Sequence, residues 1–272
     1  MKVKKNKLVV TTLGPEGTYA SQVVRKIFTD AEVRFCDTIN GVLCEKGIKV
    51  LPLENSTEGT VRQSFDGILE KGLFISTVYS FPIIHALGTK AKDLRKVKVV
   101  LSHPQAVSQC QKFIARNLKS AKIILVNSTS DAVKMAMEDE CLAAIASSYA
   151  CDLYGLPVVK NNVEDEDGNT TLFGVVAEKD LFPDEAKTDM HIVVTPHRNK
   201  AGVLFDILKP FHDLNIDLTR LESRPTRKEL GEYRFFVSFK IGAKMDAKIE
   251  KVLKILKKNC KVDVLGQTFN LK

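Results

Sequence analysis

The 272-residue chain contains no tryptophan, and aromatic residues make up only 7% of it. It also lacks any apolar run near the roughly 20 residues that span a bilayer, so no membrane partner is expected. The basic opening MKVKKNKLVV leads into a short apolar run without a small-residue cleavage site, which argues against a secretory signal. None of the six cysteines (Cys36, Cys44, Cys110, Cys141, Cys151, Cys260) belongs to a C-x-x-C pair. They stand among apolar neighbours, as in the CLAAIA run at Cys141, and read as buried reduced thiols rather than a disulfide or zinc framework. None of the five histidines shows a metal-ligand spacing such as H-x-x-x-H, so no metal is expected. These absences together point to the cytosol.

The remaining composition, 44% hydrophobic and 27% charged, is that of a globular protein with room for two modest domains. A net charge of +8 would suit nucleic acid. However, the lysine clusters are in the first seven residues and on one face of a late helix, with no aromatic-rich basic motif beside them. No nucleic-acid partner is expected. A general positive field would still help to draw in a small dianion.

Up to about residue 180, short apolar runs alternate with amphipathic stretches. LVVTTL (8–13), VRF (33–35), IKVLPL (48–53), FISTVY (74–79), VKVVL (97–101), IILV (123–126), CLAAIA (141–146) and TLFGVVAE (171–178) read as strands. Helices are expected from Thr18 to about Phe28, over the stretch carrying Val61, Phe65, Ile68 and Leu69, from SHPQ to near Asn117, over AVKMAMED, and over SSYACDLYG. This alternation predicts an α/β fold with largely parallel sheet, in two lobes around a cleft spanning 7–183. LFPDEAKTD (181–189) has the composition of a linker, which is placed at 184–189, and the pattern then changes. From 190 to 272 the order βαββαβ predicts a ferredoxin-like unit, which commonly pairs with copies of itself; a dimer or tetramer is expected.

The motifs LGPEGTYAS (13–21), LPLENSTEGTV (51–61), SHPQAVSQC (102–110), AAIASSYACDLYGL (143–156) and NTTLF (169–173) follow one another in the order found in prephenate dehydratases. The first domain resembles that family along nearly its whole length. AGVL (201–204), LTRLESRP (218–225) and YRFF (233–236) resemble the amino-acid-binding ACT domain. The resemblance implies a periplasmic-binding-protein-like catalytic domain that converts prephenate to phenylpyruvate, water and CO2 in phenylalanine biosynthesis. It implies no cofactor, and L-phenylalanine as a feedback effector. The dehydratase motif begins at Leu13, so no fused chorismate mutase is expected ahead of it.

Such a reaction needs a site for two carboxylates and help for a departing hydroxyl. GPEGT, ENSTEGT and SHPQ each sit between an expected strand and an expected helix, where free N–H groups favour anions. Gly14, Gly17 and Gly59 would allow close backbone approach. By resemblance, Thr171 is the essential threonine beside the leaving hydroxyl, and Asn55, Ser102 and Gln109 are the further catalytic positions. Gly17, Thr18, Ser56, Thr57, Arg62, Thr170 and Phe173 are the expected substrate-binding residues. Glu54 and His103 read as structural, and Cys110 as core. Leu172 stands where the family usually has arginine, and Arg62 or backbone amides are expected to take over its carboxylate. In the ACT part, Gly202, Val203 and Leu204 with Leu221, Glu222, Ser223, Arg224 and Pro225 are the expected phenylalanine-binding residues. Ala201, Val203 and Asp217 depart there from the usual proline, alanine and asparagine. The rival readings are an arogenate dehydratase and a catalytically silent amino-acid sensor.

Overall fold

The computed structural model describes residues 7–226, 231–242 and 245–271. Most of the basic opening and Lys272 lie outside the described residues. β1 (Val9–Leu13) passes through the GPEG turn into α1 (Tyr19–Ile27), whose N-cap Thr18 accepts a hydrogen bond from the Ser21 N–H. That bond satisfies one of the first-turn donors that a helix leaves unpaired. β2 (Glu32–Cys36), a short α2 (Ile39–Cys44) and β3 (Ile48–Asn55) follow. β4 (Gly59–Thr60) then folds back antiparallel on β3, with Asn55 opposite Gly59, before α3 (Arg62–Glu70) begins. ENSTEG is therefore a hairpin rather than the expected strand-to-helix turn, and Gly59 at φ +80° provides its left-handed residue.

β5 (Phe74–Pro82), β6 (Ala86–Thr89) and β7 (Val99–Ser102) come next. The single helix expected from SHPQ to Asn117 is two, α4 (Pro104–Gln109) and α5 (Gln111–Asn117), broken at the fully buried Cys110. Asp165 holds the break open, its carboxylate accepting from the first-turn amides of Lys112 and Phe113. β8 (Lys122–Leu125), α6 (Thr129–Ala136), β9 (Leu142–Ala146) and α7 (Ser148–Tyr154) complete the alternation, and Gly155 ends α7 in the left-handed conformation. β10 (Val158–Asn161) and β11 (Thr170–Ala177) follow. The C-terminal part runs β12 (Asp189–Pro196), α8 (Val203–Asp213), β13 (Leu218–Pro225), β14 (Tyr233–Lys240), α9 (Asp246–Leu256), β15 (Cys260–Thr268) and a short β16 (Asn270–Leu271).

The chain divides into two compact units: residues up to Arg62 with Ser80–Phe173, and Gln63–Tyr79 with everything from Gly174 onward. The first unit holds two α/β lobes. In one, β1 pairs in parallel with both β2 and β3. In the other, the strand order is β10-β6-β9-β7-β8. That second sheet is mixed: β7 runs parallel to β8 and β9, while β6 is antiparallel to β9 and β10. One of its faces carries Val107, Cys110, Ile114 and Leu118 of the α4–α5 segment, and the other carries Ala132, Val133 and Ala150 of α6 and α7. Both faces of the central strands β7 and β9 are thus covered, which is why these two read as continuous apolar runs, whereas the edge strand β8 is exposed along its length.

The second unit contains an antiparallel sheet in the order β13-β14-β12-β15. Ile207 and Phe211 of α8 and Ile249 and Val252 of α9 pack on Ile192, Val194, Val237 and Phe239, giving the ferredoxin-like βαββαβ arrangement. The opposite face is covered as well. There Phe65 of α3 meets Phe236 edge-on at 6.0 Å, Asp66 pairs with Arg224 at 2.8 Å, and Gly266 lies against the backbone of Ile75. Among the described residues no helix is long and apolar enough to cross a membrane.

Candidate active site

Between the two lobes of the first unit lies a cavity of about 300 Å³. α1 and α6 both open on it, through Thr18 and Tyr19 and through Ser128 and Thr129, and α4 joins them with Gln105 and Ala106. Helix N-termini carry unpaired N–H groups and partial positive charge, so the cavity is suited to anions although no Lys or Arg lines it among the described residues. The NSTSD turn before α6 takes the place that the sequence suggested for ENSTEG. Its N-cap role is legible from the run of small polar residues, but its position beside GPEGT is not.

A chain of hydrogen bonds connects the cavity residues Asn55, Thr171 and Gln109, and its direction is fixed. The backbone N–H groups of Thr57 and Glu58 both donate to Asn55 Oδ1, at 3.0 and 3.1 Å. Asn55 Nδ2 must then be the donor, to Asn169 Oδ1 at 2.8 Å and to Thr171 Oγ1 at 2.9 Å. Asn169 in turn donates through Nδ2 to Gln109 Oε1 at 3.0 Å. Two donors are left over at the ends. The Thr171 oxygen already accepts from Asn55, which leaves its hydrogen for another acceptor. Gln109 Nε2 is buried without a partner among the described groups. An unpaired buried donor costs about 1–3 kcal/mol, so it marks a place where a ligand atom is welcome.

Beyond Gln109 the chain continues to His85, whose Nε2 is 2.9 Å from Gln109 Oε1 and whose Nδ1 is 3.0 Å from the Tyr19 hydroxyl. Burial holds the His85 pKa below its usual value, against the opposing effects of the Gln109 hydrogen bond and Glu164, so the ring is neutral. Burial likewise keeps the Tyr19 phenol well above 10. Tyr19 and Asn169 lie inside the motifs LGPEGTYAS and NTTLF without being singled out there, and His85 lies outside them. Asn169 and Gln109 are 60 residues apart and meet only through the fold.

The expected site residues divide sharply. Asn55, Gln109, Thr171, Thr18 and Phe173 line the cavity. Ser102 does not; its fully buried hydroxyl donates to Ile145 O at 2.6 Å and ties β7 to β9, so its side chain has no route to a substrate. Gly17 does not line the cavity either. At φ +92° it seats the α1 entry, and a Cβ there would stand 2.9 Å from Ser130 Oγ. Ser56, Thr57 and Asn169 border a second hollow, rimmed by Glu164, Asp165, Glu166 and Asp167. Thr170 hydrogen-bonds to Gly168 and Ser56, and exposed Arg62 opens α3 away from the lining residues. Leu172 is not among the residues that line the cavity. Thr171 and Phe173 line the cavity, and strand alternation turns position 172 to the other face of β11. His103 lines the cavity while its Nδ1 caps α4, and burial pushes the Cys110 thiol up to about 12, which rules out a ready nucleophile.

In the second unit, alternation splits the LESRP motif between two faces. Leu221, Ser223 and Pro225 are exposed on the helix-bearing side, as are Leu204 and Phe205 of α8. Glu222 and Arg224 point the other way. The Arg224 guanidinium, 7% exposed, pairs with both Glu222 and Asp66. Gly202 caps α8 at φ +83°, and Val203 packs at the edge of the core. Arg224 is therefore committed to the protein rather than presented to a ligand.

A two-lobed α/β unit with an anion-suited cavity, followed by a ferredoxin-like module, defines the class. The prephenate dehydratase family profile matches residues 10–181, and that of the ACT domain matches residues 191–258. The chain is 36% identical to a prephenate dehydratase of Methanocaldococcus jannaschii, over 96% of this chain and 98% of that one. It is 34% identical to a bifunctional chorismate mutase/prephenate dehydratase of Aquifex aeolicus, over 96% of this chain and 73% of the relative. Among solved structures, the prephenate dehydratase of Arthrobacter aurescens in complex with L-Phe superposes with a TM-score of 0.85 at 28% identity, covering 96% of this chain and 90% of that one. The chain belongs to the prephenate dehydratase family and carries an ACT domain.

Proposed function

We propose that this protein is a prephenate dehydratase that releases phenylpyruvate, water and CO2, and that L-phenylalanine regulates it through the ACT domain. The observation that carries the reading is the pair of open donors, Thr171 Oγ1–H and Gln109 Nε2–H, at the ends of an otherwise satisfied chain in an anion-suited cavity. In the reaction the bond from the ring to its carboxylate breaks and CO2 departs. The freed electron pair moves through the ring, the carbon–hydroxyl bond breaks, and the hydroxide takes a proton to leave as water. Thr171 hydrogen-bonds the departing oxygen, with Asn55 fixing the direction of that donation. A threonine hydroxyl is a weak acid, so stabilisation by hydrogen bonding is its role rather than full proton release. Gln109 and the N-termini of α1 and α6 hold the carboxylates. Ser102 supports the site by tying β7 to β9.

Regulation extends the reading to the second unit. Leu204, Phe205 and Leu221 are apolar and exposed on its helix-bearing side, which suits pairing with another copy and an amino acid held there. The free thiols of the described cysteines accord with a reducing, cytosolic setting. One observation favours arogenate as a second substrate: Asp37 is the carboxylate among the residues lining the cavity, and arogenate carries an ammonium group. The test is turnover of purified prephenate and of arogenate, each with and without L-phenylalanine. Phenylpyruvate formed from prephenate and suppressed by L-phenylalanine supports the whole reading. Turnover of arogenate alone replaces the substrate, and no turnover of either by folded protein removes the catalytic assignment.

A further inference from the structure

The hydrogen-bond chain through Asn55, Asn169 and Gln109 ends on His85, and its fixed direction dictates which ring nitrogen carries hydrogen. Gln109 Oε1 accepts from Asn169, so the atom facing His85 Nε2 at 2.9 Å is an acceptor. His85 Nε2 must therefore bear the hydrogen. In the neutral ring, Nδ1 is then a bare lone pair that itself needs a donor. The Tyr19 hydroxyl, 3.0 Å away, is a donor within reach, and it shares its hydrogen between Nδ1 and Ile84 O at 2.7 Å.

Tyr19 also holds the ring by its faces. The two rings meet edge-on, with centroids 5.8 Å apart, and the His85 backbone N–H is tied to Glu164 Oε2 at 2.9 Å. The imidazole is thereby fixed in both position and tautomer. If Nδ1 carried the hydrogen instead, a bare Nε2 would face the Gln109 oxygen. Turning the Gln109 amide over to relieve that contact would bring its oxygen to where its NH2 now stands and would set its NH2 against Asn169 Nδ2.

We infer that Tyr19 is a positioning residue: as the donor to Nδ1 it supports the Nε2–H tautomer of His85, which together with Asn169 holds the Gln109 oxygen and leaves the NH2 group available to a substrate carboxylate. The last step rests on the proposed reaction; the tautomer does not. Two-bond ¹H–¹⁵N spectra of the histidine rings test it directly in the protein without substrate. The expected wild-type pattern for His85 is the Nε2–H tautomer, and Tyr19→Phe, which deletes one oxygen, is expected to shift it towards a tautomer mixture. An Nδ1–H wild-type ring, or a Tyr19→Phe spectrum with His85 unchanged, overturns the inference. In steady-state kinetics the same variant is expected to raise KM roughly two- to tenfold, the worth of about one hydrogen bond, while changing kcat little. A fall in kcat at unchanged KM overturns the positioning role. A shifted tautomer in a protein that turns over no prephenate leaves the Tyr19–His85 assignment standing and removes only the proposed reaction.

Discussion

Each unit of this protein buries a histidine between two hydrogen-bonding partners, and the two differ in how their networks end. His191, in the centre of the antiparallel sheet, meets Ser238 Oγ at 2.8 Å and Thr268 Oγ1 at 3.0 Å, and among the described residues nothing continues beyond them to a cavity. His85 has two partners as well, but its network runs on through Gln109 and Asn169 to two donors without protein acceptors. Burial lowers the pKa of both rings, so a perturbed pKa alone does not separate them. The open end of the hydrogen-bond chain does. The His191 network closes within the sheet, whereas the His85 network ends at the candidate site.

Three substitutions or conditions probe that contrast. The largest effect is expected from Gly266→Ala in the closed region. A Cβ at Gly266 would lie 2.2 Å from Ile75 O, a backbone atom that cannot rotate away. A loss of about 3 kcal/mol or more in denaturant unfolding is expected; an unchanged midpoint would show that β5 and β15 separate easily. Next comes pH. Burial pushes the His191 pKa down to about 4 from 6.5, so the fold prefers the neutral ring. Its contribution is complete above pH 6.5 and is lost as pH falls towards 4. Stability should drop by about 2 kcal/mol between pH 7 and pH 5, and His191→Gln should flatten that slope. A pH dependence identical in the variant would show that other groups produce it. The smallest effect is expected from Leu172→Arg, which restores the family's usual residue on the face of β11 turned from the cavity. KM for prephenate should change less than about twofold, and a large fall in KM would place that side chain in the cavity after all.

Much of the fold was legible because it depends on local pattern. The strand GPEG helix unit, the Ser128 cap, the Gly155 stop and the βαββαβ order all follow from residues close in sequence. The short α2, β6 and β10 escaped because too few residues carry their periodicity, and ENSTEG passed for a helix entry because a hairpin uses the same small polar residues. In the candidate site, Thr171, Asn55 and Gln109 follow from motifs, whereas Tyr19, His85 and Asn169 join them only where separate segments meet. The Leu172 question was answerable earlier: strict alternation along NTTLF already puts Thr171 and Phe173 on one face and Leu172 on the other. Ser102 shows the converse. A motif position identical to the family's holds a hydroxyl that the sheet itself consumes.

The Thr171 hydroxyl carries the proposed chemistry, and Thr171→Val removes it while keeping the branched shape that suits a buried strand position. Phenylpyruvate formation from saturating prephenate should fall by about a hundredfold or more, as for loss of a leaving-group or oxyanion donor, with the thermal midpoint nearly unchanged. A variant that retains kcat within a factor of about two of wild type would contradict the account, because loss of a donor that matters to the transition state cannot leave the rate intact.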